Sequence, residues 1–141
     1  MSATTPVGSA GADALVAVAR AVMNRAYAPY SGFRVGAALQ AEDGRVFAGC
    51  NVENSSYPAG ICAERSAVAS AIADGAHAFS TIVVSTEADV PTPPCGICRQ
   101  VLVEFAPALA IVSVTTTGAT ATWNLRDLLP SPFTPDSLAH A

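Results

Sequence analysis

The chain has 141 residues, of which 51% are hydrophobic and only 13% charged, with a formal net charge of -4. That length suits one domain over residues 1–141 with a real core. Every lysine-or-arginine cation is an arginine and none are clustered, which argues against a polynucleotide partner; no apolar run is long enough to span a membrane.

Charge this sparse points to surface buried between subunits. Residues 1–10 are small and polar, without the charged start and apolar stretch of an export signal. Four cysteines in such a chain read as reduced thiols in a cytoplasmic protein, not as a disulfide framework.

Residues 1–11 are expected to be a flexible N-terminus. Leu15, Val18, Ala19, Val22 and Met23 then recur at helical spacing, predicting a helix over 12–27 that Pro29 stops. Two strands follow at 34–39 and 45–50, joined by a hairpin turn at Glu42-Asp43-Gly44. The stretch Asn51-Val52-Glu53-Asn54-Ser55-Ser56-Tyr57-Pro58 is a loop dense in side-chain donors and acceptors, fitting either a ligand contact or a hydrogen-bonded turn.

A helix is predicted over 62–74 with Gly75 as its C-terminal cap, then a buried strand over 81–85. A proline-rich loop leads into a helix over 95–105 and a strand over 109–114. The turn Thr117-Gly118-Ala119 is too short for a crossover, so the last strand, 120–123, should run antiparallel to the one before. A short helical turn over 125–129 and a frayed tail over 138–141 close the chain. The order predicts an α/β fold: a five-stranded mixed sheet between helical layers, with the strands at 81–85 and 109–114 parallel.

Chemistry concentrates in Cys62-Ala63-Glu64-Arg65 and Pro94-Cys95-Gly96-Ile97-Cys98-Arg99. Three thiols suit a tetrahedral zinc ion and leave its fourth position open. Glu64 sits where it can move protons beside that position. Both groups fall at predicted helix starts, where free N–H groups and the positive dipole end favour thiolate. Arg65 and Arg99 are each placed to donate to a ligating sulfur, offsetting the charge of three thiolates. A Cys-x-x-Cys redox pair and a closed structural zinc site are the competing readings. The second needs a fourth ligand from Cys50, His77 or His140, and Cys50 reads better as a small core residue. The spacing Cys-x-Glu with a later Pro-Cys-x-x-Cys is the zinc-deaminase layout, in which the glutamate is not a ligand.

Taken with those motifs, the runs Ala28-Pro29-Tyr30-Ser31-Gly32-Phe33-Arg34-Val35-Gly36-Ala37-Ala38, Gly49-Cys50-Asn51-Val52-Glu53-Asn54 and Leu128-Leu129-Pro130 resemble the small cytidine deaminases over residues 12–138. The resemblance implies the three-layer α/β/α fold of that family and zinc-dependent hydrolytic deamination of cytidine and deoxycytidine, in pyrimidine salvage. It implies one Zn²⁺ on Cys62, Cys95 and Cys98, with Glu64 as the proton shuttle. It assigns Asn51 and Glu53 to the ribose, Phe33 and the Ala63 backbone to the base, and Arg65 to a zinc thiolate. It places Ser55, Tyr57 and Phe133 in a neighbouring subunit's site, within a homotetramer. A deaminase of the nucleoside antibiotic blasticidin S shares the zinc stretches, and the intact Asn51-Val52-Glu53-Asn54 run favours ordinary nucleosides over it. A zinc-bearing binding module without turnover is the reading from another class.

Overall fold

The structure, a computed structural model, describes residues 9–139. A first helix, α1 (Ser9–Met23), precedes the hairpin β1 (Val35–Ala41) and β2 (Val46–Cys50). Then come α2 (Ala63–Ala73), β3 (Phe79–Thr86), α3 (Gly96–Phe105), β4 (Ala110–Thr115), β5 (Thr120–Asn124) and a short α4 (Leu125–Leu128).

The five strands form one sheet in the order β2-β1-β3-β4-β5, antiparallel except for the parallel pair β3–β4. Side chains alternate across β3. Val83 packs with Leu15, Ala19 and Ala38 under α1, whereas Ile82 and Val84 join Ala67, Val68 and Leu102 under α2 and α3. Both faces are therefore covered, and β3 is buried along nearly all its length, Thr81, Ser85 and Thr86 included, rather than alternating between core and solvent.

Strand direction is what brings the two cysteine motifs together. β2 and β3 are each antiparallel to β1 between them, so their C-terminal ends lie on the same edge of the sheet. β2 leads there to α2, and β3 to α3. The N-terminal end of β1 meets the same edge, with Gly36 opposite Cys50 and Val35 opposite Thr86.

Close backbone approach holds the helices to this edge. A Cβ at Gly49 would lie 2.3 Å from the Ala67 nitrogen and 2.5 Å from the Ala63 oxygen, so only glycine lets α2 sit this near β2. Gly36 does the same for α1, where a Cβ would fall 2.0 Å from the Ala19 oxygen.

Several boundaries differ from the expected ones. α1 begins at Ser9 and ends at Met23, not at 27. Beyond it Tyr27 pairs with the 51–53 segment, donating to the Asn51 oxygen at 3.0 Å and accepting from the Glu53 nitrogen at 2.8 Å. That pairing demands extended backbone and ends the helix before Pro29 has any say. Of the expected flexible stretch, residues 9–11 are helical and 1–8 lie outside the described residues. Cys62 and Cys95 are the N-caps of α2 and α3, one residue before each helix. Short 3-10 turns at Tyr57–Ala59 and Pro135–Leu138 were not foreseen, and residues 140–141 of the expected frayed tail are outside the described residues.

Candidate active site

Two helix starts build the floor of the site. The Cys62 and Cys95 sulfurs are 3.8 Å apart, those of Cys95 and Cys98 are 3.3 Å apart, and all three lie within 4.8 Å of one another. Four-coordinate zinc with bonds of about 2.3 Å needs sulfurs about 3.8 Å apart, so the trio fits the ion with little movement. All four cysteines are free thiols, and Cys50 stands outside this cluster. His77 is on the surface and His140 is outside the described residues, so among the described residues no histidine completes a closed four-ligand site.

The thiols already share their protons unevenly. Bonds from the Cys98 thiol and the Arg65 guanidinium hold the Cys62 thiol down at about 5. The same contact with Cys62, reinforced by burial, pushes Cys98 well above its ordinary range. A bound dication replaces such protons, which is why metal affinity at a thiol site rises with pH. Arg65 Nη2 lies 3.5 Å from the Cys62 sulfur. Arg99 does not serve the sulfurs as the sequence allowed. Its Nε donates to the Pro94 oxygen at 2.7 Å and its Nη1 to the Leu128 oxygen at 3.1 Å, tying α3 to α4.

Glu64 sits beside the thiols and is only 5% exposed. Burial pushes its carboxyl up to about 7, and a thiolate at Cys62 adds to the effect. A carboxyl poised there can both take and give a proton at neutral pH. It lines a cleft of about 230 Å³ together with Cys62, Cys95 and Ala63.

The mouth of the cleft carries Phe33, Asn51 and Glu53. Asn51 clamps the start of β1, its Oδ1 accepting from the Val35 nitrogen at 2.8 Å and its Nδ2 donating to the Phe33 oxygen at 2.8 Å. Glu53 Oε1 accepts from the backbone nitrogens of Tyr30 at 2.9 Å and Ser31 at 3.1 Å, and Oε2 accepts from the Ser31 hydroxyl. Those donors, the Ser31 hydroxyl first, hold the Glu53 carboxyl below the usual carboxylate range.

Ser55, Tyr57 and Phe133 are not part of this cleft. All three are exposed; Tyr57 stacks edge-on against Tyr30 at 5.9 Å, and the Phe133 oxygen accepts from Gln100 Nε2 at 2.7 Å. Conversely, Ser31, Thr86, Thr92 and Pro93 line the cleft without having been singled out as site residues. Thr86 and Thr92 meet only because the 87–94 loop folds back over the end of β3, with their hydroxyls 3.5 Å apart. Ser31 had a weak signal, lying two residues before Phe33 in a Gly-containing turn.

A three-thiol metal centre at paired helix starts, with a buried titrating carboxyl in a cleft at a sheet edge, defines a zinc-dependent hydrolytic enzyme on an α/β scaffold. A family profile described as the cytidine and deoxycytidylate deaminase zinc-binding region matches residues 10–114, and the chain belongs to that family. It is 41% identical to a cytidine deaminase of Sporosarcina psychrophila over 130 residues, 92% of this chain and 96% of the relative. The crystal structure of cytidine deaminase from Burkholderia pseudomallei superposes with a TM-score of 0.83 at 48% identity, covering 86% of this chain and 98% of that one. That of cytidine deaminase from Mycobacterium tuberculosis gives 0.75 at 38% identity over 86% and 95%.

Proposed function

We propose that the protein hydrolyses cytidine and deoxycytidine to uridine and deoxyuridine with release of ammonia. The observation that carries this is the buried Glu64 carboxyl sharing one cleft with the Cys62 and Cys95 thiols. Cys62, Cys95 and Cys98 would hold one Zn²⁺ per subunit, which when bound supplies the Lewis acidity that makes water a nucleophile near neutral pH.

Glu64 takes the proton from the attacking water as its oxygen bonds to C4 of the cytosine ring, and delivers it to N3. It then moves the proton still on that oxygen to the exocyclic amine, whose bond to C4 breaks with its electron pair as ammonia leaves and C4 becomes a carbonyl. A carboxyl held up at about 7 suits both directions of transfer. Phe33 packs on the base, the Ala63 backbone contacts it, and Asn51 and Glu53 hold the sugar. Arg65 draws charge from the Cys62 sulfur, which keeps the metal a stronger Lewis acid.

The chain works as one domain within a cytoplasmic homotetramer serving pyrimidine salvage. Exposed aromatic side chains support subunit contact, Tyr57 being 76% and Phe133 57% exposed. In the assembly Ser55, Tyr57 and Phe133 reach a neighbour's cleft, completing a wall that one subunit leaves open.

The test is turnover of cytidine followed by the fall in its absorbance, with zinc measured on the same purified sample and mass by light scattering. Turnover with one zinc per chain is expected. Zinc-loaded protein that leaves both cytidine and deoxycytidine untouched would falsify the reading, and an active 14.2 kDa species would remove the tetramer.

A further inference from the structure

One hydroxyl at the mouth of the cleft has work that the nucleoside reading leaves unassigned. Ser31 Oγ accepts a hydrogen bond from the Phe33 nitrogen at 3.0 Å and donates its single proton to Glu53 Oε2. The backbone bond therefore decides where that proton points. Among the described residues, Ser31 is the sole side chain that donates to Glu53.

A carboxylate offers about four acceptor positions. Glu53 Oε1 has used two of its own on the Tyr30 and Ser31 nitrogens, and Oε2 has used one on the Ser31 hydroxyl. One position on Oε2 is left. The turn that presents Ser31 is itself fixed: Gly32 has φ +69° and its nitrogen donates to the Ala28 oxygen at 2.9 Å. Ser31 and Glu53 both line the cleft that holds Glu64 and the cysteines, so an acceptor on Oε2 is within reach of a substrate there.

We propose that Ser31 is a positioning residue, one that locks the Glu53 carboxylate so that its last acceptor position faces a sugar hydroxyl of the substrate. The proposal rests on the nucleoside reading above. Ser31 touches no reacting atom. It removes the freedom of Glu53 to rotate before substrate arrives, so its contribution is to binding and not to the chemical step. The effect should exist only for substrates that have a hydroxyl to offer.

Kinetics of the zinc-loaded protein on cytidine and on 2′,3′-dideoxycytidine test this. Ser31→Ala is expected to raise KM for cytidine about tenfold with kcat within about twofold, in line with loss of one bond to a charged group. With the dideoxy substrate the same variant should change KM less than about twofold. Ser31→Thr keeps the hydroxyl at an exposed position and should restore KM for cytidine to within about threefold of wild type. An unchanged KM for cytidine in Ser31→Ala overturns the proposal. So does an equal rise for both substrates, or failure of Ser31→Thr to rescue while zinc content and melting temperature match wild type. Wild-type protein that does not turn over cytidine sinks the functional reading instead, and the proposal with it.

Discussion

The floor and the mouth of the cleft are built by opposite means. At the floor, Cys62 and Cys95 are helix N-caps, Cys98 and Glu64 lie in the first turns, and backbone packing sets their places. At the mouth, Phe33, Asn51 and Glu53 sit on loops held by side-chain hydrogen bonds to backbone, in contact with water. A floor set by packed helices is all-or-none, because a cysteine is either within ligating distance or not. A mouth set by single hydrogen bonds is adjustable, each bond carrying its own modest share. Substitutions at the floor should therefore remove metal or turnover, and those at the mouth should shift KM in steps.

The sharpest break of that contrast is at the floor. Cys95→Ala removes a ligand from both short sulfur contacts and should abolish zinc binding and turnover together, as metal analysis and assay of one preparation will show. Next in size is Glu64→Gln, expected to keep zinc and lose kcat by at least about 10²–10⁴-fold, the usual worth of acid–base help. A variant within about tenfold of wild type would place the proton shuttle elsewhere.

The same substitution has a stability signature. Glu64 titrates at about 7 folded against an ordinary value of 4.5, so the folded state keeps its proton where the unfolded chain has lost it. Stability from this group is complete below the ordinary value and is lost as pH rises through the folded one. Metal-free Glu64→Gln should therefore gain on metal-free wild type between about pH 4 and 8, by an amount on the order of 3 kcal/mol in thermal unfolding. No gain across that window would mean the carboxyl is not desolvated.

Gly49→Ala tests whether the floor is truly a packing product. Its Cβ would overlap the α2 backbone, so α2 must move and carry Cys62 and Glu64 with it. The expected outcome is a loss of about 1–3 kcal/mol of stability, as for other overpacked positions, with weakened zinc affinity. Normal zinc affinity in a destabilised Gly49→Ala would show that the thiols find the metal without help from the sheet. At the mouth the effect is confined to binding. Asn51→Ala should raise KM for cytidine roughly 5- to 150-fold, the equivalent of about 1–3 kcal/mol, and hardly affect free cytosine. Equal loss on both would make Asn51 a brace for β1 alone.

The floor was far easier to read in the sequence than the mouth, for a physical reason. Cys-x-x-Cys and Cys-x-Glu are local, and helix-start position follows from the flanking strand and loop. The alternation of strands and helices likewise specified a mixed sheet with a parallel β3–β4 pair, as observed. The end of α1 was misjudged because the bonds of Tyr27 to the 51–53 segment act across more than twenty residues of chain. Thr86, Thr92 and the second role of Asn51 were invisible for the same reason: each depends on strand register and loop closure, which no local pattern encodes. Arg99 looked equivalent to Arg65 by its place beside a cysteine. Its fork is spent on carbonyl oxygens instead, one of them on α4.

Val52 and Ile61 exchange both backbone bonds at 3.0 Å each, closing the stretch between them like a drawstring. Glu53 and Cys62 lie just inside and just outside that knot, so the chain enters and leaves it with its chemistry already in register. Residues 54–59 are then free to change length or sequence at little thermodynamic cost, since closing a somewhat longer loop adds only a logarithmic penalty. The stretch thus presents an exposed surface, Tyr57 at its crest, whose fit to a neighbouring subunit can be re-cut while Glu53 and Cys62 of its own chain keep their places.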